Sequence, residues 1–115
     1  MLEAVRYLEK NVENQELLTQ LLHQLQKDFL MATQLEVLKR VTTAAALVEE
    51  LHGQLLRLAE TDGSKFSSLL YRIDVSEAVV DELQLRGLNF DDYLWELTFV
   101  ILRREWQKVC FRNKF

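Results

Sequence analysis

Proline is absent from this chain of 115 residues, whereas average usage would supply about 5%. Because proline lacks the backbone N–H and clashes with the preceding turn, its absence removes the strongest helix breaker. Only three glycines, Gly53, Gly63 and Gly87, offer permissive backbone positions. The chain can therefore be helical along almost its whole length.

The chain has one cysteine and no long apolar run. Cys110 alone cannot form an internal disulfide, which favours a reducing compartment. No uncharged run approaches the roughly 20 apolar residues that a bilayer span needs. The opening segment MLEAVRYLEK mixes both charge signs and lacks the apolar core of a signal peptide. We therefore expect a cytoplasmic protein that does not bind a membrane.

Motifs for catalysis or for cofactors are also missing. The three glycines are isolated, so no glycine-rich phosphate loop exists. Glu49 and His52 have the Glu-x-x-His spacing of di-iron bundles, but such a site needs a second pair of this kind. The other histidine, His23, has Gln20 and not a glutamate three positions before it. Cys110 lies among cations that could lower its thiol pKa, yet no histidine is near in sequence. We expect no enzyme, no cofactor and no metal.

Apolar residues make up 49% of the chain and charged residues 28%, as in a globular domain. Apolar positions recur at spacings of three and four, the signature of amphipathic helices. We predict an all-α fold: a single domain over residues 1–115, built as an irregular bundle of four to five helices. The stripes that carry this prediction include Leu2, Val5, Leu8 and Val12; Leu17, Leu18, Leu21, Leu22, Leu25 and Phe29; and Leu35, Leu38, Val41, Ala45, Val48, Leu51, Leu55 and Leu58.

Capping residues predict where the helices begin and end. Asn14 and Asn89 are candidate N-caps, and Gly87 is a candidate helix end. Thr33 and Glu36 fit a capping box that would open a long helix, with Gly63 as its left-handed cap.

The segment LLYRIDVSE places three polar residues, Tyr71, Arg72 and Asp74, beside a helix start. Asp74 and Glu77 resemble a second capping box, in which Ser76 competes as the N-cap. The segment is either a helix junction or half of a ligand pocket completed by Arg104 and Lys108.

The last helix contains YLWELTFVIL at residues 93–102, with one charge. A helix that is apolar on every side is a central core helix, or it also forms an interface. Trp95, Phe99 and Trp106 are the candidate interface residues, because tryptophan and other large aromatics dominate interface hot spots.

Glu96 is the one acid within that apolar stretch. If it is buried it must be paired or protonated. Its candidate partners are Arg72, Arg103 and Arg104.

The net charge of −4 is unevenly spread. Residues 103–115 hold five cations against Glu105, a balance of +4, so residues 1–102 carry −8. Cations favour a helix C-terminus because the backbone dipole is negative there, and the same residues could bind an anion. The acidic remainder argues against nucleic-acid binding.

SLLYRIDVSE (residues 68–77) and ILRREWQKV (residues 101–109) resemble segments of a family of small uncharacterised bacterial proteins, mainly from Bacteroidetes. The resemblance covers residues 66–112 at most. Trp106 stands between Glu105 and Gln107, so the closing pattern reads Glu-Trp-Gln-Lys here. The resemblance implies a compact helical fold and implies no activity.

Two functions are consistent with these features. The first is a non-enzymatic interaction module that forms a homodimer or binds another protein. The alternative is a protein that binds a small ligand or an anion through Arg72, Arg104 and Lys108. Exposed aromatic side chains on the last helix would favour the first.

Overall fold

A computed structural model describes residues 1–114 and contains six α-helices and no strand within that range. The fold measures 35 × 29 × 24 Å, with a Cα radius of gyration of 13.4 Å. The prediction of a compact all-α fold is confirmed, but the predicted number of four to five helices is too low by at least one. The helices are α1 (Leu2–Asn11), α2 (Gln15–Thr33), α3 (Ala44–Thr61), α4 (Gly63–Ile73), α5 (Glu77–Leu85) and α6 (Phe90–Asn113).

Three of the predicted helix boundaries are confirmed. Asn14 Oδ1 accepts a hydrogen bond from the Leu17 N–H at 2.9 Å and caps α2. Asn89 Oδ1 does the same for α6, accepting from the Asp92 N–H at 2.8 Å. Gly87 follows α5 with φ of 68°, a left-handed conformation that costs glycine little.

The capping box predicted at Thr33 and Glu36 is wrong. Thr33 ends α2 instead, and its hydroxyl donates to the Phe29 carbonyl. α3 begins ten residues later, where Thr43 accepts from the Ala46 N–H. The intervening segment is held by distant side chains, because Glu50 accepts from the Leu38 N–H at 2.6 Å.

The sixth helix arises at Asp62. Asp62 ends α3, and its carboxylate accepts from the Lys65 N–H to open α4. One residue therefore separates two helices, and Gly63–Ile73 forms a helix of its own. The prediction that Gly63 is a left-handed cap is wrong, because Gly63 is the first residue of α4.

The junction between α4 and α5 uses Ser76 as the N-cap, and Asp74 has a different role. Asp74 is the left-handed C-cap of α4 with φ of 69°, and its N–H donates to the Leu70 and Tyr71 carbonyls. The Ser76 hydroxyl accepts from the Ala78 N–H at 3.2 Å.

α6 packs against all five of the other helices. Its buried residues include Leu94, Leu97, Ile101, Leu102 and Val109. The central position of α6 agrees with the core-helix alternative for residues 93–102, and a further interface on this helix stays a prediction. α5 is attached more lightly, since Leu83 is its one buried residue.

Candidate interaction site

The most polar part of the interior lies where α2, α4 and α6 meet. Asp28 of α2 is 1% exposed and stands at the centre. Its Oδ1 accepts from Arg72 Nε of α4 at 3.1 Å, and its Oδ2 accepts from Lys108 Nζ of α6 at 3.1 Å. Gln24, one turn earlier on α2, also donates to Oδ2 at 3.0 Å. One carboxylate therefore joins three helices.

Glu105 is the second acid of this cluster and is fully buried. Its Oε2 lies 3.3 Å from Lys108 Nζ, one helical turn away. Burial and the neighbouring Asp28 carboxylate together raise the pKa of Glu105 to about 9, although Lys108 opposes the shift. At neutral pH Glu105 is therefore a neutral acid, and its hydroxyl can donate to Asp28.

Asp28 is ionised at the same pH. Burial by itself would raise its pKa, but hydrogen bonds from Glu105, Gln24 and Lys108 outweigh burial and lower the pKa to about 2. The two carboxyl groups thus share one proton, which is how a pair of close acids avoids two buried like charges.

Asp28 and Gln24 lie outside the apolar stripe predicted for α2, yet the structure buries both. Glu96 was the acid predicted to matter in α6, whereas the fully buried acid of α6 is Glu105. The predicted partners of Glu96 are wrong, because its carboxylate lies 3.8 Å from Arg86 and is partly exposed. The spacing of Ile101, Glu105 and Val109, four residues apart, was the available signal that Glu105 lies on the buried stripe.

The three predicted ligand-contacting cations lie in one region. Arg72 and Lys108 meet at Asp28, while Arg104 Nη2 donates to Asp74 Oδ2 at 3.1 Å. Arg104 and Lys108 also line a common groove. These contacts support the helix-junction interpretation of residues 71–74, because each of the three cations forms an ion pair with an acid of the chain itself.

That groove runs between α2 and α6 and has a volume of about 560 Å³. Phe111 forms an apolar wall and is 87% exposed. Arg112 of α6 donates to the Gln24 side-chain carbonyl, a neutral partner. The full lining is Gln24, Arg104, Gln107, Lys108, Phe111 and Arg112.

A larger groove of about 940 Å³ lies on the other side of Arg72, between α2, α4 and α5. Leu70, Val75 and Val80 give it an apolar surface. Tyr71 and Met31 also line it and are 89% and 62% exposed. Two acids, Glu77 and Asp81, lie on the α5 side. We call these two surfaces the acidic groove (α2, α4, α5) and the basic groove (α2, α6).

The candidate interface residues of α6 do not form an exposed strip. Trp106 is 6% exposed and belongs to the core, so it cannot serve as an interface residue of the folded monomer. Trp95 and Phe99 are half-buried and pack against the core. The exposed aromatic residues flanking the two grooves are Tyr71 and Phe111, which the sequence analysis did not select.

His52 borders the core and stacks on Trp95, with ring centroids 3.5 Å apart and planes 7° apart. Its buried Nε2 lies 3.7 Å from Asp91 Oδ1. Burial lowers the pKa of His52, and Asp91 opposes that shift. Within residues 1–114, no group of three or more His, Cys, Asp or Glu side chains could hold a metal ion.

Neither a family model, a curated protein nor a solved structure matches this chain. The resemblance of residues 66–112 to a Bacteroidetes family therefore stays a prediction. No helix in the described part of the chain is long and apolar enough to cross a membrane.

Proposed function

We propose that this protein is a non-enzymatic self-association module, in which two copies pair through the acidic groove of one and the basic end of α6 of the other. The observation that carries the proposal is the acidic groove itself, with an apolar floor and with Tyr71 89% exposed beside it. Contiguous exposed apolar surface of this kind marks interaction sites on soluble proteins.

The chain supplies a complementary occupant for that groove. The end of α6 carries Phe111, which is fully presented to solvent, followed by Arg112 and Lys114. Phe111 of a second copy can fill the apolar floor at Leu70, Val75 and Val80, while its cations face acids of the groove. A second copy of the chain therefore has the apolar and basic groups that the acidic groove would bind.

The two surfaces are neighbours on each copy. Arg72 lines the acidic groove and Lys108 lines the basic groove, and both side chains end on Asp28. A two-fold axis through this border would place each basic end against the other copy's acidic groove. The contact would then be isologous and closed, which is the commonest arrangement of homo-oligomers.

A catalytic role has less support. The acid pair that could transfer protons is closed to a substrate, because Asp28 and Glu105 are both fully buried. Cys110 has a raised thiol pKa because it is partly buried, which lowers the fraction of reactive thiolate at neutral pH. The same lone thiol supports a reducing compartment, and we place the protein in the cytoplasm.

Charge reversal tests the pairing. The acid-reversed variant carries Glu77→Lys and Asp81→Lys, and the base-reversed variant carries Arg112→Glu and Lys114→Glu. Each variant alone brings like charges together and is expected to be monomeric in sedimentation velocity at micromolar concentration. Their mixture restores both contacts, so it is expected to form a heterodimer.

Phe111→Ser tests the apolar part, and Leu85→Ser is its matched control. Leu85 is as exposed as Phe111 and lies outside both grooves. We expect Phe111→Ser to weaken the dimer by about tenfold or more, as for truncated interface anchors, and Leu85→Ser to leave it unchanged. A wild-type chain that sediments as a monomer up to about 1 mM would overturn the proposal.

A further inference from the structure

The basic groove carries a small excess of positive charge in the described part of the chain. Three cations line it, Arg104, Lys108 and Arg112. Asp74 pairs with Arg104 and Asp28 pairs with Lys108, whereas Glu105 adds no charge because its pKa is raised to about 9, mainly by burial. Three positive charges less two negative charges leave a balance of +1 within residues 1–114.

Arg112 is the cation that most lacks a counter-charge. Within residues 1–114 its guanidinium has no carboxylate within 4.0 Å, and it donates to the neutral carbonyl of Gln24. Its remaining N–H groups are free to bind an oxyanion in the bidentate manner that suits guanidinium. Arg104 and Lys108 line the same groove, so further donors face the same space.

The groove also has an apolar side. Phe111 lines it and is 87% exposed, so its ring is free to pack against a planar ligand. The volume of about 560 Å³ lies in the range of small-molecule sites. A ligand that uses both features combines an oxyanion head with a flat apolar group.

We infer that the basic groove is a binding site for a phosphate monoester that carries an aromatic group, with Arg112 holding the phosphate, the N–H groups of Arg104 that do not bind Asp74 adding to it, and Phe111 stacking on the ring. The site is present on a single copy of the chain and does not depend on the proposed dimer. The proposed dimer uses the same end of α6, so ligand binding and dimer formation would exclude each other. This competition rests on the proposed function.

Phenyl phosphate is the probe for direct binding. Titration followed by two-dimensional NMR of the arginine Nε–Hε groups reports on Arg104 and Arg112 separately from the rest of the chain. We expect saturable shifts of both signals at pH 7.5, with a dissociation constant on the order of 1 mM at low salt. Benzenesulfonate, which keeps the ring but has one charge, should bind several-fold more weakly because charge–charge attraction is halved.

Arg112→Gln should weaken binding of phenyl phosphate by about tenfold, the loss of one charge-assisted contact. The matched control is Arg57→Gln, which removes the same charge from an exposed position of α3. Phe111→Ala should weaken phenyl phosphate and leave inorganic phosphate unchanged, since only the ring contact is lost.

The monomeric acid-reversed variant (Glu77→Lys and Asp81→Lys) separates the two proposals, because its basic groove is intact. Binding to this variant supports the site even if wild-type chains never dimerise. Equal affinities of wild type and Arg112→Gln, or shifts that grow linearly without saturation, would overturn the site and leave the dimer proposal standing. If both hold, phenyl phosphate should shift wild-type dimers toward monomers in sedimentation.

Discussion

Lys108 Nζ and Asp28 Oδ2 lie 3.1 Å apart although 80 positions separate the two residues in sequence. The contact ties α6 to α2, and it draws the Lys108 ammonium inward from the rim of the basic groove. Glu105 lies beneath both groups as a neutral acid. One buried carboxylate thus binds a cation of each groove, Arg72 of the acidic groove and Lys108 of the basic groove.

Asp28→Asn should destabilise the fold. The substitution removes the negative charge that compensates Arg72 and Lys108, which are partly buried. Loss of one partner of a buried ion pair costs about 3–5 kcal/mol, and the partial exposure of both cations reduces that to about 2 kcal/mol. Urea denaturation should show a lower midpoint at an unchanged slope.

Glu105→Gln is the matched comparison for that change. The amide has the shape of the protonated acid and can still donate to Asp28, so its free energy of unfolding at pH 7 should stay within about 1 kcal/mol of wild type or exceed it. A loss as large as that of Asp28→Asn would show that Glu105 is ionised in the folded chain.

Stability should fall as pH rises from about 4 to about 9. In that window the folded chain keeps the Glu105 proton, whose pKa is about 9, while the unfolded chain releases it near its ordinary pKa of about 4.3. Folding therefore takes up a proton, and stability declines by up to about 1.4 kcal/mol per pH unit. Urea melts between pH 5 and pH 8.5 should show the decline, and Glu105→Gln should flatten it.

Asp28 acts with the opposite sign at lower pH. Its pKa in the folded chain, about 2, lies below the unfolded value of about 3.9. Its stabilising contribution is complete above about pH 4 and is lost as pH falls through about 2. Stability of the wild-type chain should therefore peak near pH 4, whereas a peak near pH 8 would contradict the assignment of the shared proton.

Ser76→Ala should weaken α5. The substitution removes the oxygen that accepts from the Ala78 N–H, and loss of an N-cap costs about 1 kcal/mol. Because α5 buries only Leu83, amide hydrogen exchange in residues 77–85 should rise more than in the rest of the chain.

Two substitutions of Asp74 measure the cost of its left-handed backbone conformation in the same junction. Its φ of 69° suits glycine better than alanine, so Asp74→Gly should be more stable than Asp74→Ala by about 1 kcal/mol. Both variants lose the ion pair with Arg104 and keep the backbone carbonyl that also accepts from Arg104, which makes them a matched pair. Equal stabilities would mean that the backbone relaxes out of the left-handed conformation.

Local signals predicted much of the fold. Asn14 and Asn89 were recognisable because an N-cap contacts residues only three positions away. Thr33 misled the prediction because its competitor is not local: Val37 and Leu38 are buried in the core, and Glu50 and Gln26 bind the Leu38 backbone. Burial and distant hydrogen bonds outweighed a favourable capping sequence.

The candidate site was predicted only in part. Arg72, Arg104 and Lys108 were predicted from the sequence, but Asp28, the acid that binds two of them, was not. The two cations that Asp28 binds, Arg72 and Lys108, lie 44 and 80 positions away in sequence, so no local pattern points to these contacts. A buried carboxylate of this kind is recognised from sequence only when the packing of its helix is already known.

Trp95 fluorescence should report the protonation of His52. The rings are stacked at 3.5 Å, and a protonated imidazole held against an indole is expected to quench its emission. Burial lowers the pKa of His52 below its ordinary value of 6.5, and Asp91 offers the imidazolium a partner at 3.7 Å from Nε2. We expect emission to fall as pH decreases below about 6.5, in one step.

Trp106→Phe removes the second tryptophan and should keep the step, while His52→Gln should abolish it. A step of the same size in the His52→Gln variant would show that another group quenches Trp95.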